Sequence, residues 1–199
     1  PKPSSAASDV YKRQALYHAA HQTMEELSAD PKHLGARIGY ICVLHTWGSR
    51  MNYHPHLHTI VLGGGLDAAN KWKDKGKKFF FPVKVMSAVF KKYYLCELKQ
   101  LWEEKKLEYH GTAAHLKNHY EFKVLLNSLY DKNWVVYTKE AFNGANSVIR
   151  YLGRYTHRIA ISNRRIVSMT DETVTYLVKD YKNGGKYIEQ TIKGTEFLR

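Results

Sequence analysis

Three histidines fall within five consecutive residues of this sequence, "HPHLH" at residues 54–58. His56 and His58 flank a single leucine, and the residues that follow are apolar and β-branched, which predicts a strand. Because alternate residues of a strand share a face, both imidazoles project to one side while Leu57 points to the other. Imidazole nitrogens are common metal ligands, so the spacing predicts half of a metal site. The pattern fits equally well two half-exposed histidines near a hairpin turn.

A site of this kind needs at least one further ligand. His45, on the preceding predicted strand, is the first candidate for that ligand, and His157 is the second. Another pair, His115 and His119, has the i, i+4 spacing of ligands on a helix. No glutamate completes an H-E-x-x-H pattern there, so a solvated helix face is the better interpretation of that pair.

The second group of chemically capable residues is "RYLGRYTHR" at residues 150–158. Tyr151 and Tyr155 are four residues apart and share one face of a predicted helix. A positioned tyrosine hydroxyl can act as a covalent nucleophile, and arginines suit phosphate. The arginines interleaved with these tyrosines are Arg150, Arg154 and Arg158. On spacing alone, an amphipathic helix with two packed tyrosines is the favoured interpretation.

The composition indicates a globular protein, and its basic surplus favours a polyanionic partner over a merely basic surface. The 199 residues include 31 Lys and Arg against 18 Asp and Glu, a net charge of +13. No apolar run is long enough to span a membrane. Cys42 and Cys96 follow no disulfide pattern, so we expect both to be buried, reduced thiols in a cytosolic protein.

Periodicity and turn residues predict an α+β fold with an antiparallel sheet, because a strand pair is followed by helices and then by further strands. We expect helices over 15–29, 86–107, 113–129 and 146–155. We expect strands over 37–47, 56–65, 79–84, 133–140, 158–163, 164–169, 173–180 and 186–193. A basic, turn-rich loop is expected over 71–78, and "KNGGK" predicts a hairpin between the last two strands.

Several separated motifs together resemble the two-tyrosine HUH transposases of rolling-circle insertion sequences. They are "VLHTWGSRMNYHPHLHTIVLGGGL", "FFFPVKVMS", "IRYLGRYTHRIAISNRRI" and the "DYKNGGK" hairpin, in the family's order, within residues 15–199. The resemblance implies an HUH endonuclease domain, with a ferredoxin-like or RRM-like antiparallel sheet and packed helices. It implies that His56 and His58 bind a divalent metal, Mg²⁺ or Mn²⁺, and that Tyr151 and Tyr155 are the nucleophiles.

The activity implied by the resemblance is cleavage and joining of single-stranded DNA through a 5′-phosphotyrosine. The partners would be single strands of DNA at the transposon ends and at the target site. The resemblance implies no membrane partner, no small-molecule cofactor, and a location in the bacterial cytoplasm near the nucleoid. Basic and aromatic residues that could hold a single DNA strand are Arg150, Arg154, Arg158, Lys71, Trp72 and Lys73. A solvated loop is an equally good interpretation of residues 71–78. Alternatives are a plasmid replication initiator or relaxase with the same chemistry, a non-catalytic RRM-like single-strand-binding module, and an inactive transposase fragment.

The first residues form a separate case. "SSAASDVYKRQ", residues 4–14, matches codon for codon the in-frame translation of a sequencing adapter. We therefore expect residues 1–14 to be a non-native segment and residues 15–199 to form the catalytic domain. The resemblance further implies that an N-terminal zinc-binding region and the C-terminus of the family are missing.

Overall fold

The computed structural model describes residues 5–76, 81–139, 141–142, 144–156, 160–180 and 183–197, without the side chains of 5–7 and 154–156. The chain divides into two compact units: Pro1–Cys42 with Thr59–Ala141, and Val43–His58 with Phe142–Arg199. The helices are α1 (Ser5–Ala29), α2 (Val83–Glu103), α3 (His119–Asp131), α4 (Ala145–Thr156) and α5 (Gly194–Phe197). The strands are β1 (Arg37–Trp47), β2 (Tyr53–Leu66), β3 (Trp72–Asp74), β4 (Ile166–Met169), β5 (Thr173–Asp180) and β6 (Lys186–Lys193).

The α+β class is confirmed, since the strands form two three-stranded sheets beside several helices. The sheet orders are β1-β2-β3 and β4-β5-β6. The β2–β3, β4–β5 and β5–β6 pairs are antiparallel. The predicted bounds of β1, β5 and β6 are confirmed to the residue, because runs of β-branched and aromatic residues bounded by turn residues mark strands clearly.

The first unit packs α1 against α2 and encloses an apolar core. Core side chains come from both helices, from β1 and from the segments between them: Met24, Leu27, Leu34, Ala36, Ile38, Phe81 and Met86. At the surface, Lys92 Nζ and the Tyr93 hydroxyl both donate to Glu26 Oε2, at 2.7 and 2.5 Å, and thereby hold the pKa of Glu26 below its ordinary value. No helix in the described part of the chain is long and apolar enough to cross a bilayer.

Strand β2 runs through the three glycines at which the sequence predicts its end. A Cβ at Gly64 would lie 2.6 Å from Trp72 Cζ2 and 2.5 Å from the Lys73 carbonyl oxygen. Glycine therefore lets β3 and the Trp72 indole approach the strand closely, and the expected loop over 71–78 contains a short strand instead.

Other predicted elements are wrong. The described part of 79–84 is a bend followed by the start of α2, and residues 133–139 form no strand, with Val135 91% and Tyr137 80% exposed. The strand predicted over 158–163 is absent from residues 160–163, and 157–159 lie outside the described residues. The helix predicted over 113–129 is interrupted at Asn118, whose extended backbone separates a 3₁₀ turn (Gly111–Lys117) from α3 and whose side chain caps α3.

The two cysteines lie in the first unit in different surroundings. Cys42 is half-buried on β1, with its Sγ 3.3 Å from Thr59 Oγ1, and burial raises the pKa of its thiol. Cys96 is exposed on α2, so the expectation of a buried thiol is wrong there. A cysteine within a helical pattern does not reveal from sequence which face it occupies.

The second unit is organised by β5, whose residues alternate between partly exposed and buried. Val174, Tyr176 and Val178 form its core, against which Met51, Ile161, Ile166, Ile192 and Phe197 pack. Gly184 and Gly185 have φ angles of 73° and 74° in the connection to β6, as the hairpin motif predicts.

Part of the segment assigned to an adapter makes contacts in the first unit. Helix α1 includes Ser8, which is 2% exposed, and the Glu108 backbone N–H donates to Ser8 Oγ at 3.0 Å. Lys106 Nζ lies 5.4 Å from the centre of the Tyr11 ring. The boundary at residue 15 stays a prediction, and these contacts define how it is tested.

Deletion of residues 1–14 is the test of that boundary. The adapter assignment predicts an unchanged Tm, because an adapter translation has no evolved packing partners. Calorimetry compares the Tm of the full chain with that of the deletion variant. Ser8→Ala is the control that isolates the contribution of the buried Ser8 hydroxyl. A loss of several degrees would instead assign the segment to the fold through the contacts of Ser8 and Tyr11.

Candidate active site

Three histidines of the second unit meet where β1 ends and β2 begins. His45 lies on β1, and His56 and His58 lie on β2, with a five-residue turn between the strands. His45 is only 3% exposed, stacks on Trp47 at 4.7 Å between ring centroids, and lies 4.6 Å from the His58 ring. His56 and His58 are half-buried. The hairpin thus brings together the two histidines of "HPHLH" and the first candidate for a third ligand.

The distance between the nitrogens of His56 and His58 fits a shared metal ion, and a nitrogen of His45 lies nearby. One nitrogen from each of His45, His56 and His58 lies within 4.8 Å of the other two, and the Nε2 atoms of His56 and His58 are 3.1 Å apart. Two imidazole nitrogens on one ion, each at about 2.1 Å, are separated by roughly 3.0–3.4 Å. Among the described residues, this is the one histidine, cysteine or carboxylate cluster with such geometry.

A backbone contact orients one of these imidazoles. His56 Nδ1 lies 2.7 Å from the His54 carbonyl oxygen. Because a carbonyl only accepts hydrogen bonds, Nδ1 carries the proton and donates, which leaves the Nε2 lone pair of neutral His56 for a metal ion or another donor. The leading histidine of "HPHLH" therefore contributes its backbone to the site, a role that side-chain spacing does not reveal.

Tyr151 lies beside the histidines, on helix α4 of the same unit. Its hydroxyl oxygen is 3.5 Å from His58 Nδ1, longer than a usual hydrogen bond, and its ring is 5.0 Å from the ring of Phe142. Tyr155 follows one turn later on α4. The side chains of Tyr155 and Arg154, and the whole of His157 and Arg158, lie outside the described residues.

The other described residues that the sequence offers for DNA binding or as metal ligands are exposed. Arg150 is exposed on α4. Lys71, Trp72 and Lys73 are exposed in the first unit, where the Trp72 indole N–H donates to Asp74 Oδ2 at 3.0 Å. His115 and His119 are both exposed, and the break at Asn118 places them in different helices, so their helical ligand spacing is absent.

Sequence reasoning missed the residues that hold the turn between β1 and β2. Arg165 and Tyr176 donate hydrogen bonds to the carbonyl oxygens of Ser49 and Arg50. Both pairs are more than a hundred positions apart in sequence, so no local pattern predicts them. The sequence offered one signal for Tyr176: the strand predicted over 173–180 places it on the same strand face as Val174 and Val178.

The geometry places a possible set of metal ligands next to a tyrosine hydroxyl. A metal ion held by these histidines would supply a Lewis acid near a potential nucleophile. Residues 39–199 match the model of a protein family described as "Putative transposase". The protein therefore belongs to this transposase family, and the family recognised from the sequence motifs is confirmed.

Two curated relatives carry the same description. The "Putative transposase y4qJ" of Sinorhizobium fredii is 38% identical over 203 residues, covering 99% of this chain and 51% of the relative. The "Transposase for insertion sequence element IS801" of Pseudomonas savastanoi pv. phaseolicola is 27% identical over 169 residues, covering 84% of this chain and 40% of the relative. The chain thus spans about half the length or less of these relatives, and the first match reaches into residues 1–14. No solved structure matches the chain significantly.

Proposed function

We propose that this chain carries the catalytic domain of a rolling-circle transposase, which cleaves and joins single-stranded DNA with tyrosine nucleophiles and a divalent metal ion. One observation carries the proposal: in a member of a transposase family, the Tyr151 hydroxyl lies 3.5 Å from a histidine of a three-histidine cluster. DNA transposition requires strands to be cut and rejoined. The Tyr151 hydroxyl would supply a nucleophile, and a metal ion held by the histidines would supply a Lewis acid that binds a phosphate oxygen.

In the proposed reaction, a tyrosine oxygen attacks the phosphorus of a DNA phosphodiester. The P–O3′ bond breaks as the new P–O bond forms, the tyrosyl proton is released, and the 3′ oxygen leaves and takes up a proton. The products are a 5′-phosphotyrosine and a free 3′-hydroxyl. Since the P–O3′ ester is exchanged for a P–O ester to tyrosine, the number of phosphoester bonds is unchanged and the later joining step needs no nucleotide cofactor.

His45, His56 and His58 are the residues that would hold the metal ion. A bound divalent ion would polarise a phosphate oxygen and neutralise charge that develops during the displacement. A set of three imidazoles favours a transition-metal ion over Mg²⁺, which prefers oxygen ligands. Of the two ions that the family resemblance implies, Mn²⁺ is therefore the better fit to this donor set.

A single strand must also be held while it reacts. Arg150, exposed on the helix of Tyr151, is suited to contact the DNA backbone. Lys71 and Lys73 would contact phosphates, and the exposed Trp72 would stack on a base. The net charge of +13 supports a polyanionic partner of this kind.

The test is a covalent adduct that survives denaturation. Single-stranded oligonucleotides tiling the DNA that flanks the gene are incubated with the chain and Mn²⁺, then separated on a denaturing gel. A 5′-phosphotyrosine joins the protein to the new 5′ end created by the cut. The fragment with the 3′ label then stays on the protein and the fragment with the 5′ label is released, so paired labels reveal the polarity. EDTA and double-stranded probes of the same sequence serve as controls.

We expect an adduct that carries the 3′ label alone and disappears with EDTA. Protein-bound 5′ label would reverse the proposed polarity. Binding of all single strands without any adduct would instead support a non-catalytic binding module.

A further inference from the structure

The turn between β1 and β2 connects the strand of His45 to the strand of His56 and His58. It spans residues 48–52 and is closed at its base, where the Gly48 N–H donates to the Asn52 carbonyl at 2.9 Å. Inside the turn, the Met51 N–H donates to the Gly48 carbonyl at 3.1 Å, and Met51 has a φ of 60°. A left-handed methionine is uncommon and persists where surrounding contacts determine the backbone.

Two side chains of the second unit hold the tip of this turn by consecutive carbonyl groups. Arg165 donates from Nη2 to the Ser49 carbonyl at 2.6 Å and from Nε to the Leu177 carbonyl at 2.8 Å. One guanidinium therefore connects the turn to the backbone of β5. The Tyr176 hydroxyl donates to the Arg50 carbonyl at 3.1 Å, and Tyr176 is 0% exposed.

Packing and charge support the same contact. Met51 packs against the buried cluster of Val174, Tyr176 and Val178. Arg50 Nη2 lies 3.8 Å from Asp180 Oδ1, at the end of β5. The turn is thus joined to the β4–β6 sheet through its backbone, an apolar side chain and an ion pair. The directional contacts are the hydrogen bonds from the partly buried Arg165 and the buried Tyr176.

We propose that Arg165 and Tyr176 are positioning residues for the three-histidine site, which they support through the turn without touching a histidine. A metal site needs its ligand atoms held within about half an ångström of their working positions. His45 and the pair His56 and His58 lie on opposite arms of the hairpin, so their separation depends on how the turn closes. The inference rests on the metal role in the proposed function, and it adds the supporting residues.

The direct test is the affinity for Mn²⁺, measured by isothermal titration calorimetry on the whole chain without DNA. Removal of a direct partner of a metal ligand weakens metal affinity about 10–100-fold, and an indirect support should have a smaller effect. We expect Tyr176→Phe, which removes one hydroxyl, to raise the Kd for Mn²⁺ roughly fivefold. We expect Arg165→Lys, which keeps the charge and loses the two-carbonyl bridge, to raise it about tenfold.

A matched variant separates the two hydrogen bonds from general packing and stability. Val174→Ala removes packing from the buried cluster that Met51 of the turn also contacts, and it leaves the hydrogen bonds of Arg165 and Tyr176 to the turn in place. It should lower the Tm at least as much as Tyr176→Phe while leaving the Kd for Mn²⁺ unchanged, with titrations done well below every Tm. An equal loss of affinity in Val174→Ala at an equal loss of Tm would overturn the inference, as would wild-type affinity in Tyr176→Phe and Arg165→Lys.

The double variant His56→Ala/His58→Ala distinguishes failure of this inference from failure of the proposed function. A wild-type chain that binds no Mn²⁺ would reject the metal role and the inference together. Binding that is lost in the histidine variant and unchanged in the Arg165 and Tyr176 variants would reject the inference alone. Binding that weakens in both sets, and not in Val174→Ala, supports it.

Discussion

Replacement of His56 and His58 by alanine is expected to abolish Mn²⁺ binding and adduct formation together, while most of the affinity for single-stranded DNA remains. The double variant removes two candidate ligands, whose Nε2 atoms lie 3.1 Å apart. Binding of the strand depends mainly on Lys and Arg, which number 31 and are unchanged. Titration calorimetry measures the metal, the denaturing gel measures the adduct, and fluorescence anisotropy measures DNA binding.

The control is His115→Ala/His119→Ala, which removes the same number of imidazoles from exposed positions outside the cluster. This variant should match the wild type in all three measurements. His45→Ala should weaken Mn²⁺ binding less than the double variant, since two ligands remain. Unchanged cleavage by the His56 and His58 double variant in metal-titrated buffer would refute the ligand role.

Removal of the hydroxyls of both Tyr151 and Tyr155 is expected to abolish the adduct as fully as the His56 and His58 double variant does. Mn²⁺ binding should be unchanged. One nucleophile is occupied by the strand it has cut, whereas a rolling-circle reaction must cut a second site while the first link persists. We therefore expect Tyr151→Phe and Tyr155→Phe each to retain some cleavage of a short single strand. The Tyr151→Phe/Tyr155→Phe double variant should retain none, and either single variant should be severely impaired in complete transposition.

Phenylalanine preserves the ring of Tyr151 against Phe142, so the Tm of the Tyr151 variant should stay close to that of the wild type. Tyr137→Phe is the matched control, because Tyr137 is 80% exposed in the other unit. Digestion of the adduct and mass spectrometry locate the phosphate. Attachment to any residue other than Tyr151 or Tyr155 would contradict the two-nucleophile mechanism.

The features that were predictable from the sequence are those with a short-range signal. Apolar, β-branched and aromatic content predicts β1 and β5, and the spacing of His56 and His58 places them on one strand face. The apolar content of residues 133–140 wrongly predicts a strand: the described residues 133–139 form none, and Val135 and Tyr137 are exposed. A strand forms only when another strand pairs with it, and local composition does not contain that information.

The supporting contacts of the site could not be predicted for a different reason. Arg165 reaches the Ser49 carbonyl across 116 positions of sequence, and Tyr151 reaches His58 across 93. Such contacts depend on how distant strands and helices pack, and a backbone carbonyl that accepts a hydrogen bond leaves no trace in residue type. The residues that could do chemistry were therefore visible from the sequence, while those that position them required the structure.

All three candidate metal ligands lie within one hairpin, residues 45–58, whereas the Tyr151 nucleophile lies far away in sequence. The entropy lost on closing so short a loop is small, because it grows only with the logarithm of loop length. A denatured chain can therefore chelate the ion with the same histidines, and binding to the denatured ensemble reduces the net stabilisation that a ligand gives. Mn²⁺ should consequently raise the Tm less than its affinity for the folded chain implies.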